Sequence, residues 1–425
     1  MQCGKRHSDV GRKVSKEGAE YLPWRVTDLK AEVIDNTLIL YLEGRIDTAN
    51  SPQVEKEVME VVAENPGKEL VVDAGELNFI SSSGLRILMK LIKETGKKFT
   101  VRNVSTEVYE IFEVTGFTEM LDIRKAVRQL SVEGCEIIGR GSFGIVYRID
   151  PETIVKVYRE GVSLEQLQEE KRYATAAFVH GIPTAIAYDT VQVGSCYGNV
   201  YELLNAVTVG KAVTADPSRA EELGRKMGRL FLQVHETEME PGVLPKISDK
   251  FRARIDYLEQ NHLSHEDAEL MRRVVDAIPE TNTLVHGDFH EGNVMVQDGE
   301  LLLIDLDSVC VGNPIYDFMS NYGLRKICAN GNHKIARLSL NLEPELIPVL
   351  DKYERQEFLG SEDPAVLEEY VNTMELFFPF RHLLLIALEQ SNRNLTPEAV
   401  EKIKAADLPV LRKNYQLMID RAGQW

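Results

Sequence analysis

The sequence predicts an α+β fold of two lobes, a small β-rich lobe and a large helical lobe, preceded by a small α/β domain. Before Leu130, short apolar strands alternate with helical faces, as in a sheet with helices packed against it. After Ile138, a glycine-rich turn joins two strands of β-branched and aromatic residues. Further along, short apolar strands flank a polar loop at residues 286–293. These observations place the candidate chemistry in the second part of the chain.

A chain of 425 residues is expected to form two or three domains. The expected parts are a flexible tail at residues 1–24, an α/β domain at 25–129, a β-rich small lobe at 131–206 and a helical large lobe at 207–425. The tail is polar and no long apolar segment follows it, so a signal peptide is not expected. The longest apolar run, residues 383–388, is too short to cross a bilayer.

The α/β domain is predicted from short segments with clear periodicity. Its strands are expected at residues 38–42, 69–72 and 99–101, and its helices at residues 52–63 and 107–114. A further helix is expected after the three serines at residues 81–83, because serine is a favoured N-cap and a Leu-x-x-Leu-Met run follows.

The small lobe begins with the pattern Gly-x-Gly-x-x-Gly-x-Val at Gly139, Gly141 and Gly144. Glycines let backbone N–H groups approach phosphates closely, because no Cβ intervenes. The turn opens a strand, residues 145–149, and not the helix of a dinucleotide-binding fold. The next strand, residues 153–158, carries Lys156 between two valines. We interpret Lys156 as a phosphate ligand, with a surface lysine as the alternative.

A helix is predicted at residues 164–180, and it carries Glu169 and Glu170. One of the two glutamates is expected to pair with Lys156 and hold it toward the phosphates. Glu170 is preferred over Glu169, and a solvated acidic face is the alternative.

The polar loop has the sequence VHGDFHEGNVMV at residues 285–296, and Asp305 follows the apolar run 301–304. Transfer of a phosphoryl group from MgATP needs a carboxylate base, and an amide oxygen and a second carboxylate as metal ligands. Asp288 fits the base, and Asn293 and Asp305 fit the ligands of magnesium. A polar hairpin turn without this chemistry is the alternative.

Taken in order, these segments resemble the aminoglycoside phosphotransferase-like family, the small-molecule branch of the protein-kinase-like fold. The segments that carry the resemblance are GRGSFGIVY, IVKVY, EKRYATAAFVHGIPT, VHGDFHEGNVMV, LLLIDLD and GNPIYDF. The sequence departs from ordinary protein kinases at two places, with Gly287 in place of arginine and Asp-Leu-Asp in place of Asp-Phe-Gly. Both departures favour the small-molecule branch. Neither departure excludes a protein substrate.

The resemblance implies a role for each matching position. Asp288 is the expected catalytic base, Asn293 and Asp305 are the expected metal ligands, and Asp317 and His286 are expected to brace the loop. Asp307 either binds metal or caps the next turn. The residues expected to contact ATP are Gly139, Gly141, Ser142, Gly144, Val146, Lys156, Glu170, and Glu202 and Leu204 of the adenine-binding hinge at residues 201–204.

The N-terminal segments LYLEGRIDTAN, LVVDAGELNFISSSGLRIL and FEVTGFTEML resemble the sulfate-transporter and anti-sigma-antagonist (STAS) family over about residues 25–128. The resemblance implies that a partner kinase phosphorylates Ser82 at a helix N-terminus, where a dianionic group is stabilised. Ser81 stands where regulated members of that family commonly have aspartate. The alternative is that residues 81–83 only cap the helix.

The net charge of −18 argues against partners that are nucleic acids or anionic membranes. Residues 1–20 carry +2 and residues 21–130 carry −4, so residues 131–425 carry −16. An acidic large lobe would suit a cationic acceptor such as an amine, and ordinary solubility charge explains it equally well. The five cysteines show no metal-binding spacing, which favours a reduced, cytoplasmic chain.

The sequence therefore predicts an ATP- and Mg²⁺-dependent phosphotransferase that acts on a hydroxyl of a small molecule, such as an amine or amino sugar, with an STAS-like domain for regulation or for docking a protein partner. One alternative is a protein serine kinase that acts on its own Ser82. Another is a nucleotide-binding signalling module that acts by partner switching. The complete set Lys156, Asp288, Asn293 and Asp305 argues against an inert module.

Overall fold

The computed structural model describes residues 19–21, 29–141, 144–329, 331, 333–387 and 395–424. The chain divides into two compact units, Met1–Arg128 and Gln129–Trp425. Most of the tail expected at residues 1–24 lies outside the described residues. Within it, Ala19–Tyr21 forms a strand that pairs antiparallel with the strand Lys30–Ile34.

The first unit is a six-stranded sheet whose strands follow chain order. The first three strands are antiparallel and the last four are parallel to one another. Its strands are β1 (Ala19–Tyr21), β2 (Lys30–Ile34), β3 (Thr37–Ile46), β4 (Glu69–Ile80), β5 (Thr100–Val104) and β6 (Asp122–Lys125). Its helices are α1 (Ser51–Glu64), α2 (Ser82–Thr95), α3 (Thr106–Val114) and α4 (Phe117–Met120). The predicted α/β architecture is confirmed, although β1, β2 and β6 were not predicted.

The core of the first unit lies between the sheet and its helices. Helix α2 buries Leu85, Leu88 and Leu91, which recur at helical spacing on its inner face. Burying one leucine fully contributes about 1.5–3 kcal/mol, so this face holds the helix on the sheet. At Gly84 a Cβ would lie 2.6 Å from Cγ1 of Ile80, so the helix approaches β4 closely.

The second unit begins with a six-stranded sheet and one helix, the predicted β-rich small lobe. The strands are β7 (Arg128–Gln129), β8 (Glu136–Arg140), β9 (Gly144–Arg148), β10 (Thr153–Tyr158), β11 (Ala187–Val193) and β12 (Cys196–Glu202), in the spatial order β7-β11-β12-β10-β9-β8. The pairs from β8 to β12 are antiparallel. Helix α5 (Leu164–Val179) starts with a capping box of Ser163 and Gln166.

The large lobe is helical, with short strands around the polar loop. Its helices are α6 (Val209–Ala215), α7 (Ala220–Glu236), α8 (Ile247–Asn261), α9 (His265–Ala277), α10 (Ile315–Ala329), α11 (His333–Ile335), α12 (Ile347–Phe358), α13 (Pro364–Leu383) and α14 (Pro397–Ala422). Its strands are β13 (Val207–Thr208), β14 (Leu284–Val285), β15 (Val294–Gln297), β16 (Glu300–Leu303) and β17 (Cys310–Val311). Single turns of 3₁₀-helix cover Pro217–Arg219, Leu306–Ser308 and Pro344–Leu346, and a π-helical turn covers Ala336–Leu340.

The polar loop is held by two separate small sheets. Strand β14, which precedes it, pairs with β17, whereas β15, which follows it, pairs with β13 and β16. Because the flanking strands belong to different sheets, the loop is not the turn of a simple hairpin. The fully buried Phe231, Phe289 and Phe377 belong to the apolar core of this unit. Within the described ranges, no helix has both the length and the apolar character needed to cross a membrane.

Candidate active site

The polar loop is fixed by the carboxylate of Asp317 on α10. Its Oδ2 accepts a hydrogen bond from the backbone N–H of His286 at 2.8 Å, and its Oδ1 accepts one from Gly287 at 2.7 Å. Nε2 of His235 lies 3.0 Å from Oδ2. Gly287 has φ = 81°, and a Cβ there would lie 2.7 Å from the carbonyl oxygen of Ser308. These contacts are those expected of an acid that braces the loop.

His286 is buried within the loop and acts on its backbone. Its Nδ1 accepts a hydrogen bond from the backbone N–H of Asp288 at 3.3 Å. Burial lowers the pKa of His286, against the opposing charges of Asp317 and Asp288. The neutral imidazole is therefore favoured, which suits a loop-bracing residue better than a proton donor.

Asp288 and Asn293 are held side by side across the loop. The side-chain amide of Asn293 donates to the backbone oxygen of Asp288 at 3.0 Å and lies 3.5 Å from its Oδ2. This orientation leaves the amide oxygen of Asn293 for another ligand. The Asp288 side chain is 43% exposed, so its carboxylate is accessible. Sequence reasoning missed Gly292, where a Cβ would lie 1.8 Å from the carbonyl oxygen of Ser339.

Lys156 on β10 meets the loop region through Asp305. Its ammonium is hydrogen-bonded to Oδ1 of Asp305 and lies 4.0 Å from Oε1 of Glu170. Burial lowers the pKa of Lys156, but the charges of Asp305 and Glu170 outweigh it, and the net shift is upward. Lys156 is therefore charged. Of the two glutamates considered, Glu170 is buried beside Lys156, whereas Glu169 is exposed.

Two tyrosines fix Glu170 on the inner face of α5. The hydroxyl of Tyr158 donates to Oε1 of Glu170 at 2.5 Å, and that of Tyr201 donates to the same oxygen at 3.2 Å. Burial raises the pKa of Glu170, while the charge of Lys156 and the Tyr158 hydrogen bond lower it. The hydrogen bonds orient the carboxylate toward the lysine.

Asp305 adopts a left-handed backbone conformation, with φ = 60° and ψ = 59°. A residue with a Cβ occupies this region at a cost, and such positions cluster at functional sites. Two positions later, burial raises the pKa of Asp307; the charges of Asp305 and Asp288 add to this shift and Lys156 opposes it. The carboxylates of Asp305, Glu170 and Asp307 are thus concentrated around Lys156.

A cavity of about 480 Å³ joins these groups. Five of the residues singled out from the sequence line it: Gly141, Asp288, Asn293, Asp305 and Asp307. Its remaining lining residues are Arg254, Gly287, His290, Gly292, Ser308, Ser320, Gly323, Leu324, Ile327, Leu338, Ser339, Asn341, Phe378, Arg381, His382 and Leu385. The cavity is not lined by the other described residues that were predicted to contact ATP, which are Gly139, Gly144, Val146, Lys156, Glu170, Glu202 and Leu204. Ser142 lies outside the described residues.

The three glycines of the small lobe differ in what the fold requires of them. At Gly144 a Cβ would lie 2.2 Å from the carbonyl oxygen of Val157, so close pairing of β9 and β10 requires glycine. The N–H of Gly141 donates to the Gly144 carbonyl at 2.9 Å, and a Cβ at Gly141 would come no closer than 4.0 Å to any described atom outside its chain neighbours. At Gly139 a Cβ would make an ordinary contact with the Val146 side chain at 3.5 Å. The predicted hinge lies at the end of β12, where Glu202 is exposed and Leu204 is half-buried.

The donor set suits a magnesium ion bound together with phosphates. The amide oxygen of Asn293 and the carboxylates of Asp305 and Asp307 are hard oxygen donors, which Mg²⁺ prefers. No cluster of three or more His, Cys, Asp and Glu side chains with metal-binding geometry occurs in the described part of the chain. Magnesium commonly uses one or two carboxylates and takes its other ligands from phosphates and water.

Sequence reasoning missed two arginines and one histidine of the cavity. Arg254 projects from α8, and Arg381 and His382 project from the end of α13. Arg381 and His382 stand in the run FFPFRHLLLI at residues 377–386, and the apolar composition of this run favours its interpretation as a buried helix of the core. The signal was present, because two polar residues interrupt an apolar run. No comparable sequence pattern distinguishes Arg254.

A buried ion network lies behind the loop. The guanidinium of Arg325 donates to Glu291 at 2.9 Å, to Asp351 at 2.8 Å and to Glu354 at 2.5 Å. Arg325, Glu291 and Glu354 are all buried. Glu291 belongs to the loop, so the network ties the loop to α10 and α12.

In the first unit, Ser81 is the N-cap of α2, and its side chain accepts a hydrogen bond from the N–H of Gly84 at 3.4 Å. Ser82 is the first residue of the helix and is exposed. The capping function therefore belongs to Ser81, and Ser82 is accessible at the helix N-terminus.

The two units match different protein families. Residues 136–334 match the phosphotransferase enzyme family (APH), and residues 28–130 match the STAS domain. The first unit is similar to the candidate anti-sigma factor antagonist BtrV of Bordetella bronchiseptica, with 31% identity over 98 residues that cover 22% of this chain and 84% of BtrV. It is also similar to the anti-sigma-B factor antagonist of Bacillus subtilis, with 22% identity, 21% of this chain and 83% of that protein.

Two solved structures resemble the second part of the chain. One is the ADP-bound aminoglycoside phosphotransferase APH(2'')-Ib, with 14% identity, a TM-score of 0.43, and coverage of 73% of this chain and 98% of that one. The other is a choline/ethanolamine kinase family protein from Mesorhizobium loti, with 13% identity, a TM-score of 0.44, and coverage of 68% and 92%. The predicted combination of a kinase-like fold and an STAS domain is confirmed.

Proposed function

Because the chain belongs to the STAS family through residues 28–130 and carries a domain of the phosphotransferase enzyme family at residues 136–334, we propose that it transfers the γ-phosphoryl group of MgATP to a hydroxyl of a small molecule. The observation that carries the proposal is the arrangement of one cavity. Asp288, Asn293, Asp305 and Asp307 line it together with Gly141, and Lys156 reaches its edge through Asp305.

Asp288 is the proposed base. Its carboxylate is accessible in the cavity. Its backbone is held on the N-terminal side by Asp317 and His286, and its backbone carbonyl accepts a hydrogen bond from the side chain of Asn293. A positioned base typically contributes 10²–10⁴-fold to the rate. Positioning of the reactants and neutralisation of charge supply most of the rest.

Lys156, Asn293, Asp305 and Asp307 are proposed to hold MgATP. A bound magnesium ion would neutralise charge on the transferring phosphates. Lys156 would then exchange its contact with Asp305 for a phosphate oxygen, while Glu170 keeps its ammonium in place. Gly141 offers a backbone position next to the cavity that no Cβ obstructs.

The STAS domain is proposed to dock a protein partner under the control of Ser82. Curated relatives of this domain are named as anti-sigma factor antagonists, which supports a partner-binding role. Ser82 is exposed at the start of α2, and a phosphate there would meet free N–H groups of the helix and add about −1.5 to −2 charge.

Asp288→Asn tests the phosphotransferase proposal. We expect ADP formation in the presence of acceptors to fall by about 10²–10⁴-fold, because the amide cannot accept the hydroxyl proton. MgATP affinity measured by calorimetry should stay within about twofold, since the base contacts the acceptor. Turnover within a few-fold of the wild-type rate would contradict the role of Asp288. Intact-mass measurement in the same reaction detects the alternative, phosphate transfer to the chain itself.

A further inference from the structure

We propose that the acceptor is an oxyanion-bearing hydroxyl compound, with its carboxylate or phosphate bound by Arg381 and Arg254 on the large-lobe wall of the cavity. This inference rests on the proposed phosphotransferase function and names its substrate class. The wall consists of residues from α8, α10 and α13 and from the π-helical turn Ala336–Leu340.

Arg381 lines this cavity and has one hydrogen-bond donor that is not satisfied. Its Nε donates to the hydroxyl of Ser320 at 3.0 Å, which fixes the guanidinium plane. Its Nη1 is buried and has no hydrogen-bond partner among the described residues. Leaving a buried charged donor unsatisfied is costly, so a group that supplies an acceptor is strongly favoured there.

The pairing of Arg381 differs from that of other large-lobe arginines. Arg325 contacts three carboxylates, Arg272 contacts Asp256 and Glu259, and Arg412 contacts Asp267. Arg381 forms no ion pair within the described ranges, although it lines a cavity that contains three aspartates. A structural role would not need an arginine without a counter-ion, whereas a ligand site for an anion does.

The charges around Arg381 reinforce this interpretation. Burial lowers the pKa of Arg381 to about 10, and the positive charge of Arg254 contributes to the shift. The charges of Asp288 and Asp317 oppose this shift, and the Arg381 guanidinium remains charged at neutral pH. Two cations that face one cavity repel each other, and an oxyanion between them would remove that cost.

The other residues of the wall indicate which chemical groups the acceptor carries besides its oxyanion. His382 is oriented by Asp407, 2.7 Å from its Nδ1, which leaves Nε2 for a ligand. The apolar lining residues are Leu324, Ile327, Leu338, Phe378 and Leu385. An acceptor with an apolar or aromatic body, an oxyanion at one end and a hydroxyl directed at Asp288 would satisfy these groups.

The proposed acceptor class differs from the one expected from composition. A net charge of −16 over residues 131–425 suggested a cationic amine, but the acids inside the cavity are the set proposed for catalysis and metal binding. A cationic amine on the opposite wall would meet Arg254 and Arg381, which carry the same charge sign. The acidic side chains elsewhere on the lobe do not set the charge of the site.

The experiment compares Arg381→Met, Arg381→Lys and the control Arg421→Met, a surface arginine on α14 paired with Glu369. Calorimetry in the presence of MgATP measures binding of mandelate and glycerol 3-phosphate as carboxylate and phosphate probes. Mandelamide is the uncharged analogue of mandelate, and ethanolamine is the cationic probe. Melting temperatures verify that each variant is folded.

We expect at least one anionic probe to bind the wild-type chain, and to bind Arg381→Met about 10- to 100-fold more weakly, since a hydrogen bond to a charged group is lost. Arg381→Lys should retain part of the affinity, and Arg421→Met all of it. Whichever anion binds identifies the carboxylate or the phosphate as the recognised group. Stronger binding of ethanolamine or mandelamide, or anion binding that is equal in Arg381→Met, would overturn the proposal.

A parallel measurement of MgATP affinity tests the remaining possibility, which is that the two arginines bind the nucleotide and not the acceptor. If Arg381→Met weakens MgATP binding and leaves anionic probes unaffected, the arginines contact the nucleotide and the proposal is wrong. These binding assays do not depend on turnover. Failure of the phosphotransferase function, shown by Asp288→Asn with unchanged activity, can therefore be distinguished from failure of the anion site.

Discussion

The ammonium of Lys156 is hydrogen-bonded to the carboxylate of Asp305, and the two residues lie 149 positions apart in the chain. The proposed phosphate ligand and the proposed metal ligand thus neutralise each other in this structure. MgATP supplies a cation for Asp305 and an anion for Lys156, so its binding would exchange one ion pair for two. Affinity for the nucleotide should therefore depend on both side chains and on magnesium.

Asp305→Ala is expected to abolish the dependence of ATP binding on magnesium. The carboxylate is the charged ligand delivered by β16, and its loss leaves phosphate charge uncompensated. Calorimetry with ATP, with and without Mg²⁺, measures the effect. Glu169→Ala is a suitable control, because this glutamate is exposed on α5 and should not affect binding. An Asp305→Ala variant that retains wild-type affinity for MgATP would refute the metal assignment.

The glycine turn provides a second test, because Gly141 and Gly144 differ in their surroundings. Gly144→Ala should destabilise the small lobe by about 1–3 kcal/mol, since the new Cβ meets the Val157 backbone. Gly141→Ala should leave stability unchanged within about 1 kcal/mol, because nothing described lies closer than 4.0 Å to its Cβ. It should weaken MgATP binding about tenfold, because a Cβ at this position of the cavity would obstruct the close approach of a phosphate.

Thermal unfolding and calorimetry on both glycine variants separate the two effects. A Gly141→Ala chain that binds MgATP as tightly as wild type would show that Gly141 does not contact phosphate. A Gly144→Ala chain of normal stability would show that β9 and β10 can separate without cost.

The sequence predicted those parts of the site that depend on local spacing. Asp288 and Asn293 lie in one loop, and Asp305 follows the strand next to it, so short-range pattern and known metal chemistry were enough to associate them. Lys156 was interpreted as a phosphate ligand from its position after the glycine-rich turn, but no local rule places it beside Asp305, 149 positions away. The α/β architecture of the first unit could also be predicted, because the periodicity of each strand and helix is a local property of the sequence.

The acceptor wall could not be predicted in this way, because it forms only when distant helices pack. The run FFPFRHLLLI was interpreted as core, and Phe377 and Phe380 are indeed fully buried. Helical periodicity turns Phe378, Arg381 and His382 toward a different face of α13, and that face lines the cavity. Arg254 reaches the same cavity from a helix more than 100 residues earlier. Only tertiary structure brings these cations together.

The start of α2 gives a matched pair of serine variants. Ser81→Ala should destabilise α2 by about 0.5–2 kcal/mol, because it removes the N-cap hydrogen bond to Gly84. Ser82→Ala should change stability by less than about 0.5 kcal/mol, since Ser82 is an exposed position on the helix. Urea dependence of hydrogen exchange in α2 peptides measures both. Equal effects of the two substitutions would contradict the separation of capping and regulation.

Phosphorylation of Ser82 by the chain itself is tested with the same peptides. After long incubation with MgATP, peptide mapping of the wild-type chain should show whether phosphate is added at residues 81–83, with Asp288→Asn as the inactive control. Phosphate on Ser82 in the wild type alone would establish transfer by this chain. Its absence from an otherwise active chain would reject transfer by this chain to its own Ser82.

The buried network around Arg325 predicts a stability that depends on pH. Burial raises the pKa of Glu354 to about 7, with Glu291 adding to the shift and Arg325 opposing it. Between the ordinary value of 4.5 and about 7, the folded state therefore binds more protons than the unfolded state. The free energy of unfolding should fall as pH rises through this window, by about 1–3 kcal/mol in total. Glu354→Gln should remove most of this slope.

Arg325→Met tests the same network from its cationic side. The substitution leaves Glu291, Glu354 and Asp351 without their shared partner, and removing one member of a buried ion network costs about 3–5 kcal/mol. Because the buried glutamates can take up protons when the guanidinium is absent, the loss should be larger at pH 8 than at pH 5.5. Hydrogen exchange of α10 peptides in urea at the two pH values measures it, with Arg421→Met as the surface control. A loss below about 1 kcal/mol at pH 8, or an equal loss at both pH values, would show that the network does not stabilise the loop. Since Glu291 belongs to the loop that carries Asp288, the same variant should also lose turnover.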